Sequence, residues 1–200
     1  MSDHYYSEKP SVKSERKTWE FTLRGKPFVF QSDRGVFSKN EVDFGSRLLI
    51  ESFIFPDAEG DLLDVGCGYG PIGISLAAEF PDSLIEMVDI NERAIQLAKD
   101  NAEKNNIRNV RIYQSNLLEQ TAGKKYAAIL SNPPIRAGKK VVHEIFEKSF
   151  HQLHPRGELW IVIQKKQGAP SALDKLNDLF GEAEVVNKDK GYFIIKAKKS

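Results

Sequence analysis

Asp64-Val65-Gly66-Cys67-Gly68-Tyr69-Gly70-Pro71 is the stretch that decides the fold. The apolar run Leu62–Val65 before it reads as a short buried strand, and the pattern Ile72–Glu79 after it reads as a helix. Three alternate glycines let the backbone turn sharply and approach a ligand without Cβ clashes. Pro71 suits the first helical position, where its missing N–H is not needed. A strand, a glycine turn and a helix in that order open a parallel α/β unit, and such units place ligands outside the carboxyl ends of their strands.

The same rhythm continues outward. Leu84–Val88, Val110–Tyr113, Tyr126–Leu130 and Leu159–Ile163 read as further strands. Asn91–Asn105, Val141–Leu153 and Ser171–Phe180 carry helical spacing, with Asn91 as an N-cap. Glu182–Val186 and Tyr192–Ala197 leave no room for a helix between them, so they are expected to pair as an antiparallel hairpin. The expected fold class is α/β, with a mostly parallel sheet, an antiparallel C-terminal strand and a short N-terminal β-hairpin extension. That extension is Trp19–Leu23 and Phe28–Phe30, turned at Gly25-Lys26-Pro27. The division is a polar arm over 1–17, flexible or ordered on a partner, and a single domain over 18–200. Within the domain lie a hairpin (18–34), a leading helix (41–55) and the ligand-binding sheet (61–200).

The 200 residues carry 29 basic and 28 acidic side chains, so bulk charge does not bind this chain to a polyanion, and any such partner must meet a local patch. Cys67 is the single cysteine, which excludes an internal disulfide and a thiolate metal cluster and fits a reducing compartment. The polar N-terminus carries no secretory signal and no run is long enough to span a bilayer. A cytoplasmic protein with no metal and no membrane partner is expected.

The chemistry is read from two places. Asp64 beside the glycine loop would repel a pyrophosphate and attract a cationic or amino ligand. S-adenosylmethionine has a sulfonium, an α-amino group and no phosphate, so it fits better than a dinucleotide. Gly66, Cys67, Gly68 and Gly70 form its loop. Asp89, with Ile90 after the second strand, can accept both ribose hydroxyls, although a strand-end acid or helix cap is the plain alternative. Ser115 and Asn116, after the third strand, would lie beside the adenine, with turn formation the competing reading of Asn116. The second place is Asn132-Pro133-Pro134-Ile135, after the fourth strand. Two prolines forbid helix and remove two donors, so an amide and a bare carbonyl form a cluster of acceptors. Such a cluster suits a planar amine bearing two N–H bonds.

Together these pieces resemble the Rossmann-like class I methyltransferases over nearly the whole chain. Asn132–Ile135 matches the [DN]-P-P-x motif of the amino-group enzymes, which implies catalysis by Asn132, Pro133, Pro134 and Ile135, with Asn132 also beside the cofactor. Its continuation Arg136-Ala137-Gly138-Lys139 is similar to the RsmC-type small-subunit ribosomal RNA guanine-N2 methyltransferases. So are Gly35-Val36-Phe37-Ser38, Asp43-Phe44-Gly45-Ser46 and Gln164-Lys165-Lys166-Gln167-Gly168-Ala169. The resemblance implies S-adenosylmethionine as cofactor and ribosomal RNA or the small ribosomal subunit as partner. Many RsmC-type enzymes carry two tandem domains, and this chain has room for one. Many relatives also have an aromatic residue where Ile135 stands. Phe37 is the candidate wall for the target base, against a plain core reading, and Arg136, Lys139, Lys140 and Lys165, with Lys166, form the basic patch. Two other readings stay open: methylation of adenine N6 or a glutamine amide, and a non-catalytic cofactor-binding assembly factor.

Overall fold

The computed structural model describes residues 7–36 and 41–200. A hairpin of β1 (Lys17–Leu23) and β2 (Lys26–Ser32) leads into α1 (Phe44–Ser52). Then come β3 (Asp61–Val65), α2 (Pro71–Glu79), β4 (Ile85–Asp89), α3 (Glu92–Lys104), β5 (Val110–Gln114) and β6 (Tyr126–Ser131). The chain continues through α4 (Lys139–His151), β7 (Leu153–Gln164), α5 (Ala169–Phe180), β8 (Ala183–Asp189) and β9 (Tyr192–Lys198). Strands β3 to β9 form one sheet in the order β5-β4-β3-β6-β7-β9-β8. Its first five members run parallel, and β9 runs antiparallel to both β7 and β8. The order reverses direction between β3 and β6, and such a switch point opens a crevice at the carboxyl ends.

Each strand feeds two cores because successive side chains point to opposite faces. Leu62, Leu130 and Trp160 pack with Ile74 and Leu97 on one face; Leu63, Ile129 and Leu159 pack with Phe146 and Leu176 on the other. Helices cover both faces, which is why every residue of β6 is buried.

The N-terminal hairpin is docked by hydrogen bonds that periodicity does not reveal. Asn101 on α3 and Asn105, the C-cap residue of that helix, lie one turn apart. The Asn105 amide accepts from Val29 N (2.9 Å) and donates to Val29 O (2.8 Å); Asn101 does the same with Gln31 (2.8 and 2.9 Å). Two side chains thus mimic a neighbouring strand for the edge of β2. The turn itself is Arg24-Gly25, both at positive φ (49° and 75°), and Pro27 lies inside β2 opposite Thr22. The expected turn at Gly25-Lys26-Pro27 is therefore displaced, because an edge strand tolerates a proline whose missing donor faces outward. Arg24 Nη1 donates to Ile50 O and Phe53 O, satisfying carbonyls at the end of α1.

Two other boundaries differ from the sequence reading. Leu153 begins β7 and does not end α4; residues 154–157 bulge out between the pairs Tyr126↔Leu153 and Ala128↔Glu158. The composition His154-Pro155-Arg156-Gly157 hides that strand segment behind loop residues. Within the 1–17 arm, expected to be flexible or ordered on a partner, residues 8–15 are tied to the body of this same chain. Glu8 O accepts from Glu92 N, Val12 O accepts from Arg93 Nη2 (2.8 Å), and Asp33 accepts from Ser14 Oγ and Glu15 N. Among the described residues, no helix is long and apolar enough to cross a membrane.

Candidate active site

β3 ends at Val65, and the chain turns through Gly66 (φ 73°) and Gly68 (φ 57°) before α2 begins. A Cβ built on either glycine would meet no atom within 4 Å, so the demand there is backbone conformation and open space above it. Gly70 differs: its Cβ would stand 2.7 Å from Ile74 Cδ1, so it is packed beneath the loop as the N-cap of α2. Tyr69, also in the loop, is buried against Trp19 and Phe30, which fastens the hairpin to this turn.

Gly66, Cys67 and Gly68 line a cavity at the carboxyl ends of β3, β4 and β6, together with Asp89, Ile90 and Ser115. Asn132, Pro133 and Pro134 close its other side. Asp64, Gly70 and Asn116 do not line it. Asp64 is 1% exposed; its Oδ2 accepts from Gly73 N (3.0 Å) and its Oδ1 has no partner. Burial, helped by nearby Asp89, pushes its pKa up to about 7 against the pull of the Gly73 bond. Asp89 accepts from Gly68 N and from Asn91 N, each at 2.8 Å, so one carboxylate holds the glycine loop and the start of α3 together. Burial raises its pKa to about 6, while those N–H donors and its partial exposure at the cavity work in the opposite direction. Ser115 Oγ donates to Leu117 O (2.8 Å) and accepts from Gln120 N (3.1 Å), and Asn116 Nδ2 reaches Glu119 Oε1 (3.2 Å), building a turn. The Cys67 thiol is buried, and burial lifts its pKa well above the ordinary value, which makes it inert.

The Asn132 amide is held from α1. Its Nδ2 lies 3.0 Å from Ser46 Oγ and 3.2 Å from Asp43 Oδ2. Asp43 is the N-cap of α1 and also accepts from Ser46 N (3.0 Å). Asp43 Oδ2 accepts from both the Ser46 backbone and the Asn132 side chain, which fixes the amide with nitrogen towards α1. No hydrogen bond is made to the amide oxygen among the described residues. The Asp43 pKa is raised by burial, against the bonds from Ser46 and Asn132. Sequence alone assigns Asp43 and Ser46 no role, although Asp43-Phe44-Gly45-Ser46 is visible there as a resemblance, and an aspartate before a helical run is a residue type suited to an N-cap.

The expected bare carbonyls are not bare. Pro133 O accepts from Ile135 N across a three-residue turn, and Pro134 O accepts from Ala137 N as the chain tightens into a 3-10 turn over Ile135–Ala137, both at 2.9 Å. Each carbonyl keeps its second lone pair. Ile135 turns away from the main cavity towards a second one between α4 and α5, which it lines with Lys139, Val142 and His143. Arg136, Lys139, Lys140, Lys165 and Lys166 all lie at least partly exposed on this edge of the sheet. Phe37 lies outside the described residues. Among the described residues, no group of three His, Cys, Asp or Glu side chains could hold a metal.

The pattern of the methyltransferase small domain matches residues 27–196. The chain belongs to that family. It is therefore a class I methyltransferase, and S-adenosylmethionine is its cofactor. The donor set fits: the Gly66–Gly68 backbone leaves open space, and Asp89 is an acid that lines the cavity, while Asp64 is buried beneath the loop and supports it through Gly73 N. The chain is 66% identical over its full 200 residues to "Uncharacterized protein YbxB" of Bacillus subtilis (strain 168), of which it covers 100%. It is 34% identical over 188 residues to "Ribosomal RNA small subunit methyltransferase C" of Vibrio parahaemolyticus, covering 92% of this chain and 53% of that protein. Among solved structures, the fold matches "T. Thermophilus 16S rRNA N2 G1207 methyltransferase (RsmC) in complex with AdoMet and Guanosine" with a TM-score of 0.83 at 22% identity. That match covers 96% of this chain and 52% of the other. The chain thus spans about half the length of these methyltransferase C relatives.

Proposed function

We propose that this methyltransferase acts on the exocyclic N2 of a guanine in small-subunit ribosomal RNA, in the cytoplasm. The observation that carries this reading is the orientation of Asn132: its nitrogen is bound to Asp43 and Ser46, and its oxygen is left as an acceptor beside the cofactor loop. S-adenosylmethionine supplies, when bound, an electrophilic methyl group. The chain's own work is to present the nucleophile. The N2 lone pair of guanine is delocalised into the ring and attacks poorly. Asn132 Oδ1 and the remaining lone pair of Pro133 O accept hydrogen bonds from its two N–H groups and draw the nitrogen towards tetrahedral geometry; once the nitrogen is methylated, one of these protons is acidic and leaves to solvent. Holding the amine in that pose supplies several kcal/mol, on the order of what proximity and orientation give elsewhere. Gly66, Gly68, Asp89 and Ser115 hold the cofactor.

A base stacked in a duplex cannot enter this crevice, so the target is unpaired or flipped out. Arg136, Lys139, Lys140 and Lys165 meet phosphates, with the Arg136 fork the best suited of them. The name of the Vibrio relative supports the small-subunit acceptor. A second relative, "Ribosomal RNA large subunit methyltransferase G" of Psychromonas ingrahamii, is 30% identical over 193 residues, which keeps large-subunit RNA as the second reading. The test is Asn132→Ala: methylation of ribosomal RNA is lost while S-adenosylmethionine still binds in calorimetry. Wild-type methylation by that variant would remove the assigned role.

A further inference from the structure

Ile135 supplies no ring, so an aromatic surface for RNA must come from elsewhere in the chain. Phe44 and Tyr192 form a ring pair with centroids 5.5 Å apart and planes tilted by 51°. Phe44 is the first residue of α1, immediately after Asp43, and it belongs to neither buried core. Both residues are partly exposed, and Tyr192 also packs against the core that contains Trp160 and Val162. Gly45 makes the pairing possible, because a Cβ there would stand 2.9 Å from Tyr192 Cε1.

Lys190 lies over the outer face of this pair. Its Nζ is 4.7 Å from the Phe44 ring centroid. The residue sits in a tight turn with Gly191, at φ 48° and 78°, between the paired ends Asp189 and Tyr192. Gly191 O accepts from Lys165 N (2.8 Å), which fixes the turn to the end of β7. Lys165 and Lys166 are exposed beside it and share a shallow groove with Lys190. One lysine thus covers the Phe44 ring and two more lie in the adjoining groove, with Asp189 the acid at the foot of the turn.

The position of this pair follows from the sheet. β6 and β9 flank β7, and β9 is antiparallel, so the start of β9 and the end of β6 share one edge. Two strand spacings of about 4.8 Å set Tyr192 roughly 10 Å sideways from the Asn132 turn. That is beyond the amine held by Asn132 and within reach of the neighbouring nucleotide on the same strand. Rings with flexible cations around them are the recurring recognition surface for unpaired bases, since every base has a face to stack and every nucleotide a phosphate.

We propose that Phe44 and Tyr192, with Lys190, form a stacking site for an unpaired RNA nucleotide adjacent to the target base. The proposal rests on the RNA reading above. On binding, the base takes the ring surface and the Lys190 ammonium moves from the ring face to the phosphate.

The test measures binding of small-subunit ribosomal RNA by filter retention and S-adenosylmethionine binding by calorimetry, with the full-length protein. Phe44→Leu and Tyr192→Leu each weaken RNA binding by about tenfold, the scale of one lost base stack, and leave cofactor affinity unchanged. Phe44→Tyr and Tyr192→Phe restore binding, which a role in folding alone does not require. Lys190→Ala lowers the salt dependence of RNA binding by about one phosphate contact. RNA binding by both leucine variants equal to wild type, with Asn132→Ala inactive, overturns the stacking site and leaves the Asn132 reading standing. Absence of RNA binding by the wild-type protein overturns both.

Discussion

Replacing Asp64 by asparagine changes how stability depends on pH, and the size of the change follows from the burial of one carboxyl. Asp64 is 1% exposed and its pKa is pushed up to about 7 from 3.8. The folded state therefore holds this proton more tightly than the unfolded chain does. The stabilisation is fully present below the unfolded pKa and is lost as pH rises through about 7. Three pK units correspond to about 4 kcal/mol in all, of which about 2–3 kcal/mol falls between pH 5 and pH 8. For a chain of this size that is roughly 5–10 °C in Tm. The Asp64→Asn side chain keeps an acceptor for Gly73 N and has no proton to lose. The measurement is Tm by calorimetry at several pH values from 5 to 8, without cofactor. The wild-type curve falls towards pH 8 and the variant's curve is flatter by that amount. Asp89, raised to about 6, leaves a smaller residual slope in both. Parallel curves for the two proteins would refute the assignment of the shift to Asp64.

Other outcomes follow from the same contacts. Asp43→Ser keeps a good N-cap for α1 but no longer reaches Asn132, so kcat falls by about tenfold or more with little change in Tm or cofactor affinity, as steady-state kinetics and thermal melts will show. Asn101→Leu strips both backbone groups of Gln31 and the Tyr69 carbonyl of their partner, and costs about 2–4 kcal/mol in urea unfolding. Gly66→Ala meets open space but must adopt φ 73°, so it costs about 1–2 kcal/mol in stability, and its methyl weakens S-adenosylmethionine binding in calorimetry. Iodoacetamide at about pH 7.5, below the ordinary thiol pKa, leaves Cys67 unmodified in the folded protein by mass spectrometry, because the thiol is buried and protonated.

The parallel sheet was legible because its signals are local: apolar runs, a glycine turn, helical spacing and an N-cap at Asn91 that does accept from Arg93 N and Ala94 N. The reversed β9 was legible because too few residues separate it from β8 to form a crossover. The bulged start of β7 was not, since loop-forming residues there belong to a strand whose pairing is set by distant Tyr126. The cavity-lining residues Gly66, Asp89 and Asn132 follow from strand ends, which periodicity locates. Asp43 and Ser46 act on Asn132 across a sequence separation that no spacing rule covers. Asn101 and Asn105 read as ordinary polar positions in and at the end of α3, and their role as a substitute strand depends on where the hairpin docks.

The most direct test of the account is the identity of the methylated nucleoside. The protein is incubated with methyl-labelled S-adenosylmethionine and, in parallel, with naked small-subunit RNA, 30S particles, 50S particles, tRNA and total protein, and the labelled product is digested and separated by mass. The account predicts N2-methylguanosine in small-subunit RNA, absent with Asn132→Ala. Label in N6-methyladenosine or in protein alone would contradict it.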